Sequence, residues 1–283
     1  MKIRPEDLEN SKLYGYLTSA VQPRPIAFAS TIDVDGKVNL SPFSFFNVFS
    51  ANPPVLVFSP VRRGRDGTIK DTLTNVQQTG EVVVNIVNFN MVQQMSLAST
   101  EYETGVNEFV KAGLTPVESD LVKPPRVAES PVQFECKVLE IKELGTDGGA
   151  GNLVICEVIC IHINDDILDA DQNIDPFKID TVARMGANWY CRAKDAMFEV
   201  EKPSRNHGVG VDALPQTVRN SEVLTGNDLG KLGNIHEIPE ADEVLAFAKA
   251  ENLQSSSIKE KHIKAKELIA KNAITDAWKT LLS

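Results

Sequence analysis

Histidine is scarce in this chain. Only His162, His207, His236 and His262 occur in 283 residues, which argues against a histidine-rich metal site. The four cysteines, at 136, 156, 160 and 191, form no CxxC pair and fit no zinc spacing. Cys136, Cys156 and Cys160 lie inside strand-like runs and read as buried free thiols. No apolar run reaches the roughly 18 residues needed to span a membrane, and the opening MKIRPEDLENSKLYGYL lacks the apolar core of a secretory signal. The expected location is the cytoplasm. Positive charge is in deficit, with 29 Lys and Arg against 39 Asp and Glu, a net charge of −10 and a pI near 5.0. Nucleic acid is therefore not the expected partner. A Gly-rich dinucleotide fingerprint is missing too: the glycines of residues 145–151 stand between two strand-like runs, the context of a flexible hairpin.

What the chain does contain is a β-rich core of ordinary composition, 42% hydrophobic and 24% charged, long enough for one or two domains. Its organising stretch is residues 24–75. Two β-type runs, 25–32 and 55–59, bracket the segment NLSPFSFFN at residues 39–47, where hydroxyls and amides alternate with aromatics. Short donors of this kind hold a phosphate, and apolar rings cover a flat heterocycle. Arg24, Arg62, Arg63 and Lys70 surround it as cations able to neutralise an anion. Arg62 and Arg63 read rather as solvated loop charges and stay outside the site; Lys70 reads also as an exposed residue at a helix start, and Phe43, Phe45 and Phe46 read equally as core.

Pro23 and Pro25 force extended geometry and start a strand. Asp35-Gly36 turns the chain at residues 33–37, so residues 38–40 return antiparallel and bring Ser30 and Thr31 near residues 39–41. A short helix at residues 70–76, with Asp71 as its N-terminal acid, ends on a left-handed Gly80. A strand at 81–87 and a helix at 89–98, with Met91, Met95 and Leu97 apolar, precede a loop-like excursion at 99–131. Strands at 132–143 and 152–164 come next, the first alternating with period two, which implies one wet face. Before all of these, residues 1–20 read as a short helix with Asp7 at its start and with Tyr14 and Tyr16 packing on the segment after it. Successive strands separated by turns favour an antiparallel sandwich or barrel. Beyond residue 200 the texture becomes polar and then helical over 240–281, with Leu245, Phe247, Leu268 and Trp278 among its apolar positions.

These residues together resemble the flavin reductase-like family, and within it the flavoredoxin-like subgroup. The resemblance spans roughly residues 20–200. It rests on RPIAF at 24–28, Ser30-Thr31, Asp35-Gly36, NLSPFSFFN at 39–47, Pro53-Pro54, Lys70-Asp71-Thr72 with Asn75, EVVVN at 81–85, Asn107-Glu108-Phe109 and VARMG at 182–186. The fold it implies is mainly β: an antiparallel Greek-key split β-barrel with flanking helices over residues 1–200, and a helical C-terminal extension over 201–283 packed on the barrel or a partner subunit. It also implies a homodimer that binds FMN non-covalently. Matching the family's pattern assigns cofactor contacts to Ser30, Thr31, Ser41, Pro42, Phe43, Ser44, Asn47, Lys70, Asp71, Thr72 and Arg184, with Tyr190 beside Arg184 on a segment that closes over the ring. Hydride from NAD(P)H to FMN, and onward to free flavin or a partner oxygenase, is the implied activity. The alternatives are an FMN electron carrier without NAD(P)H turnover and a β-scaffold without flavin. No side chain is assigned as a catalytic acid or base, because the flavin carries the chemistry.

Overall fold

In the computed structural model, which describes residues 1–203 and 208–283, strand β1 (Ala27–Ile32) is buried on both faces. Expectations touching residues 204–207, His207 among them, lie outside the described residues. Side chains alternate along a strand, so Ala27, Ala29 and Thr31 share one face while Phe28 and Ser30 share the other. The Asp33 carboxylate accepts the N–H groups of Asp35 and Lys37 at 2.9 and 2.8 Å, and β2 (Val38–Phe43) returns antiparallel. Of the Asp-Gly pair only Gly36 takes positive φ, +87°, a conformation that a Cβ disfavours.

Residues 46–51, which the sequence pattern left without a strand, form β3 (Phe46–Ala51), paired with β4 (Pro54–Phe58). With β5 (Glu81–Ile86), β8 (Val132–Glu143) and β9 (Asn152–Ile163) they make a seven-stranded antiparallel sheet in the order β2-β1-β5-β8-β9-β4-β3. Two small ribbons stand outside it, β6 (Pro116–Val117) with β7 (Arg126–Val127), and β10 (Val182–Arg184) with β11 (Tyr190–Arg192).

The two edge strands, β2 and β3, are joined by Ser44 and Phe45 alone. Laid flat, seven strands would hold their edges about 29 Å apart, whereas so short a link spans about 10 Å. The sheet must curl until its edges approach. Phe43 of β2 accordingly meets Phe58 of β4 with ring centroids 5.5 Å apart, although the two strands lie far apart in the sheet order. The edges remain unpaired, so the sheet is curled but not closed. Inside the curl, Ala27, Ala29, Phe43, Leu56, Phe58, Val82, Val84, Cys136, Val154 and Cys156 form one apolar cluster.

Helices close the two faces. Leu73 and Val76 of α2 (Asp71–Thr79) enter the inner cluster, and Gly80 ends that helix at φ +68° as expected. On the outer face, Met91 and Met95 from the 89–97 helical segment, whose α-helical part is α3 (Val92–Leu97), join Phe109 and Ala112 of α4 (Glu108–Ala112) over Ile26, Phe28 and Leu40. Leu97 is left exposed. The Glu108 carboxylate accepts the Leu40 N–H at 2.9 Å, blunting the open edge of β2. At the N-terminus Asp7 belongs to a short 3-10 turn, Pro5–Asp7, and α1 (Asn10–Ala20) has Glu9 rather than Asp7 at its N-cap and no acid in its first turn. Tyr14 packs on Phe45 at 6.1 Å, and Tyr16 stays exposed.

The period-two alternation of β8 misleads about solvent. Gln133 and Glu135, on its supposedly wet face, are buried. The excursion between α4 and β8 folds back over them. Asp120 and Leu121 donate their N–H groups to Glu135 at 2.8 and 2.6 Å, and Gln133 donates to the carbonyls of Val127 and Ser130. Cys160 is half-buried rather than a core thiol, unlike Cys136 and Cys156.

The chain divides into two compact units, Met1–Met197 and Phe198–Ser283. The second contains α5 (Gln216–Arg219), α6 (Gly226–Gly233), α7 (Ala241–Ala250), α8 (Ile258–Ala270) and α9 (Ile274–Leu282). The start of α6 is fixed by Thr225 and Asp228, which form a reciprocal capping box, as do Ser257 and Glu260 ahead of α8. The unit has its own core, in which Leu214, Val218, Leu232, Ala265, Ile269 and Ala277 surround Trp278. Leu245 is exposed, and α7 buries Val244 and Ala248 instead. No helix among the described residues is long and apolar enough to cross a membrane.

His262 sits in this unit against Ser221, at 2.7 Å between Nδ1 and Oγ. Ser221 Oγ also accepts the N–H groups of Val223 and Leu224, so its own proton goes to His262 Nδ1, which must be the unprotonated nitrogen. Burial pushes the His262 pKa below its ordinary value. Below pH 6.5 the unfolded chain takes up a proton that the folded one refuses, so stability is full above that pH and falls as pH drops toward the folded pKa. Urea denaturation across this window should show a slope of up to about 1.4 kcal/mol per pH unit, and His262→Gln should flatten it.

Candidate functional site

The β1–β2 register sorts the predicted residues by face. Ala27 lies opposite Phe43, Ala29 opposite Ser41 and Thr31 opposite Asn39, all on the side that carries α2. Phe28 and Pro42, and Ser30 and Leu40, are paired on the other side, under the α4 cover. The hairpin thus brings Thr31, Ser41 and Phe43 together and turns Ser30 and Pro42 away from them. Ser30 is fully buried, and its hydroxyl has no hydrogen-bond partner among the described residues.

A polar frame locks α2 to this face. Asn39 Nδ2 donates to Thr72 Oγ1 at 2.8 Å and to Thr31 Oγ1 at 3.4 Å, and Asn75 Nδ2 donates to Thr31 Oγ1 at 3.1 Å. Thr31 and Thr72 are fully buried. Their hydroxyls serve to dock the helix, a role that Asn39 and Asn75 share. The only sequence signal for it was the spacing of two amides opposite two threonines.

Lys70 is the N-cap of α2, and its Nζ stands 5.2 Å from the centroid of the Phe43 ring. The site's electrostatics centre on it. Burial, and next the charge of Arg63, push the Lys70 pKa below its ordinary value, with Glu101 acting against them. Glu101 itself is engaged by Arg63 at 3.6 Å and Arg65 at 3.2 Å, and no carboxylate among the described residues forms an ion pair with Lys70. The outcome is a half-buried cation without an ion pair among the described residues, only partly compensated by Glu101, at the positive end of a helix and beside an aromatic ring. An anion is what such a place holds best.

The other predicted residues fall elsewhere. Asp71 accepts from Thr104 Oγ1 at 3.3 Å and lines a cleft of about 220 Å³ with Asp33, Asp35 and Lys37. That rim is acidic and does not suit a phosphate. Asn47 is exposed on β3, and its side chain accepts its neighbour's backbone N–H, from Val48, at 2.8 Å. Ser44 accepts from Arg24 Nε at 3.5 Å. Arg184 pairs by backbone with Arg24 and lays its guanidinium over Tyr190 at 4.7 Å.

Arg24, expected as an anion-neutralising cation, is spent inside the fold. It donates to the carbonyls of Thr18, Val21 (2.7 Å) and Met185 (2.9 Å), capping the C-terminal turn of α1 and tying it to the β10–β11 hairpin. Arg62 and Arg63 are likewise occupied, Arg62 by Glu143 at 3.4 Å and Arg63 by the Ile69 carbonyl at 2.8 Å. Arg24→Met keeps the aliphatic stem but orphans buried carbonyls, so it should cost about 3 kcal/mol. Thermal unfolding should register this as a drop on the order of 6–12 °C.

Comparison with known proteins sets this geometry in context. Residues 20–177 match the family model described as the flavin reductase like domain. The chain belongs to the flavin reductase-like family. An uncharacterized Aquifex aeolicus relative is 39% identical over 188 residues, covering 66% of this chain and 93% of the relative. Nitrilotriacetate monooxygenase component B from Bacillus cereus superposes with a TM-score of 0.66 at 29% identity, over 71% of this chain and 98% of that one. A Shewanella frigidimarina chain with a split barrel domain gives 0.60 at 28% identity, over 71% and 99%. The family match lies within the first unit.

Proposed function

We propose that this flavin reductase-like protein binds FMN, with its phosphate at Lys70 and the N-terminal turn of α2 and its ring over the strip of Ser41 and Phe43. The Lys70 cation, without an ion pair among the described residues, carries the reading. Its partner must be anionic, small enough to reach a half-buried nitrogen, and attached to something flat that packs on an aromatic ring. FMN meets all three conditions. Thr31, Asn39, Thr72 and Asn75 then hold α2 rigid so that Lys70 and the first-turn N–H groups stay aimed. The remaining hydroxyl of Ser41 faces the same strip, and Ser44 and Asn47 flank it at the β2–β3 link. Arg184 and Tyr190, already stacked, offer a planar pair to close over a ring, their own or that of a second subunit in a homodimer.

When bound, FMN supplies two-electron transfer, and the protein's part is to position the ring and tune its potential. In the full reading the curled sheet is a Greek-key split barrel, and the chain is an oxidoreductase that takes hydride from NAD(P)H and passes electrons to free flavin or a partner oxygenase. Similarity to a monooxygenase component supports the last step. A flavoredoxin-like electron carrier is the second reading, favoured by the missing dinucleotide fingerprint. Titrating the protein with FMN and then adding NADH or NADPH without oxygen separates them. Rapid bleaching of bound flavin establishes the reductase, bound flavin that resists both donors establishes the carrier, and failure to bind FMN overturns both.

A further inference from the structure

Away from the α2 strip, on the outer face of β8 and β9, three ligand-type side chains meet because of a defect in the sheet. Along β9, Val154, Cys156 and Val158 point into the inner cluster. Regular alternation would send Cys160 and His162 the same way. The register shifts between Glu135 and Cys136, however: Cys136 pairs with Val158 and Glu135 with Cys160, leaving Ile159 as an extra, bulged residue. The bulge moves Cys160 and His162 to the face of Glu135. It also keeps Ile161 opposite Phe134, where Ile161 is half exposed. Bulges re-aim side chains in this way next to functional sites.

The resulting contacts converge on one atom. His162 Nε2 lies 2.6 Å from Glu135 Oε1 and 3.5 Å from Cys160 Sγ. A nucleophilic triad would use both ring nitrogens, one for the thiol and one for the carboxylate. Here the thiol and the carboxylate share the same nitrogen, as ligands around a common centre do. Asp120 adds a carboxylate from the covering loop, and the four ligand atoms all lie within 4.8 Å of one another. Neighbouring ligands of tetrahedral zinc stand about 3.3–3.6 Å apart, from bond lengths of about 2.0–2.3 Å. The sulfur–nitrogen spacing already matches, and the oxygen–nitrogen pair need only part as the metal replaces the hydrogen bond between them.

We propose that Cys160, His162, Glu135 and Asp120 form a divalent transition-metal site of zinc type, separate from the proposed flavin strip. The mixed thiolate, imidazole and carboxylate set selects a borderline-soft ion over magnesium or calcium. Arg126, whose Nε is 3.9 Å from Glu135 Oε1, balances the excess negative charge once the thiol has lost its proton to solvent. Glu135 is held by the Asp120 and Leu121 N–H groups, so the ligand is fixed before any ion arrives. His162 and Cys160 remain partly accessible, which gives the ion a way in.

The test uses the full chain without an affinity tag, stripped of metal by a chelator. Equilibrium dialysis with Zn2+ should give one ion per chain, and Co2+ should produce a thiolate-to-metal charge-transfer band. Cys160→Ser should abolish that band, and both Cys160→Ser and His162→Ala should weaken Zn2+ by at least ~10-fold. Cys191→Ser, on β11, should leave both readouts unchanged. Asp120→Asn, at an exposed position, tests the second carboxylate without the folding risk of altering Glu135. Zn2+ binding that survives both Cys160→Ser and His162→Ala, or no stoichiometric binding by the unaltered chain, would overturn the site.

Discussion

Lys70→Met is expected to weaken FMN binding by about 10- to 100-fold, the value of one charge-assisted hydrogen bond to an ion of about 1.5–3 kcal/mol. The affinity for riboflavin, which has the ring but no phosphate, should hardly change. That contrast places the effect at the phosphate rather than the ring, and fluorescence titration with the two flavins reads it directly. The apo protein should respond in the opposite sense. Desolvation and the charge of Arg63 outweigh Glu101 at Lys70, so the unfolded chain binds its proton more tightly than the folded one does. Stability of the unaltered apo protein should therefore rise as pH climbs toward 10.5, the ordinary lysine value. Methionine keeps the apolar stem against Phe43 and removes both the penalty and the slope. A variant that loses FMN while its apo form becomes no less stable has lost a ligand contact and not its fold. Equal losses for FMN and riboflavin would move the phosphate elsewhere.

Trp278→Ala should destabilise the second unit by about 3–5 kcal/mol, the usual cost of emptying a large buried aromatic site. Trp278 is fully buried, and its indole Nε1 donates to the Leu232 carbonyl at 2.8 Å, joining α9 to α6. Alanine leaves both a cavity and an orphaned acceptor. Trp278→Phe fills most of the cavity and loses only the hydrogen bond, so it should cost about 1–2 kcal/mol. Urea denaturation followed by helical circular dichroism measures the pair. Native fluorescence gives an independent check, because the only other tryptophan, Trp189, is 75% exposed. In a Trp189→Phe background the emission should be that of an indole in an apolar site and should shift red as the second unit unfolds. A cost for Trp278→Ala below about 1 kcal/mol would show that the cluster around it is not a folded core.

Within the first unit, residues that look alike in sequence differ in place. Ser30 and Thr31 are neighbours, yet one faces the α4 cover and the other docks α2. Of the cations Arg24, Arg62, Arg63 and Lys70 ahead of α2, the three arginines are held by carbonyls or carboxylates. Lys70 alone of these has neither a hydrogen-bond acceptor nor an ion-paired carboxylate among the described residues, only the Phe43 ring. Positive charge alone does not distinguish it from the three arginines, because what matters is which acceptors the fold brings up to each.

By itself the sequence determined the kind of most of the main elements, though not strand β3 or the two small ribbons. Local signals are written into short stretches: the Asp33–Lys37 reversal in an Asx side chain and a glycine, the end of α2 in Gly80, and the limits of β8 in a long period-two run. The family emerged from the order of many such stretches, each weak alone. Tertiary structure decided what those elements face. The curl of the sheet comes from a two-residue link between edge strands, the burial of Glu135 from a loop folded over an apparently wet face, and the gathering of Cys160 and His162 from a single bulged residue. Each depends on contacts between segments far apart in the chain, and a one-residue change of register reverses the face of every side chain beyond it.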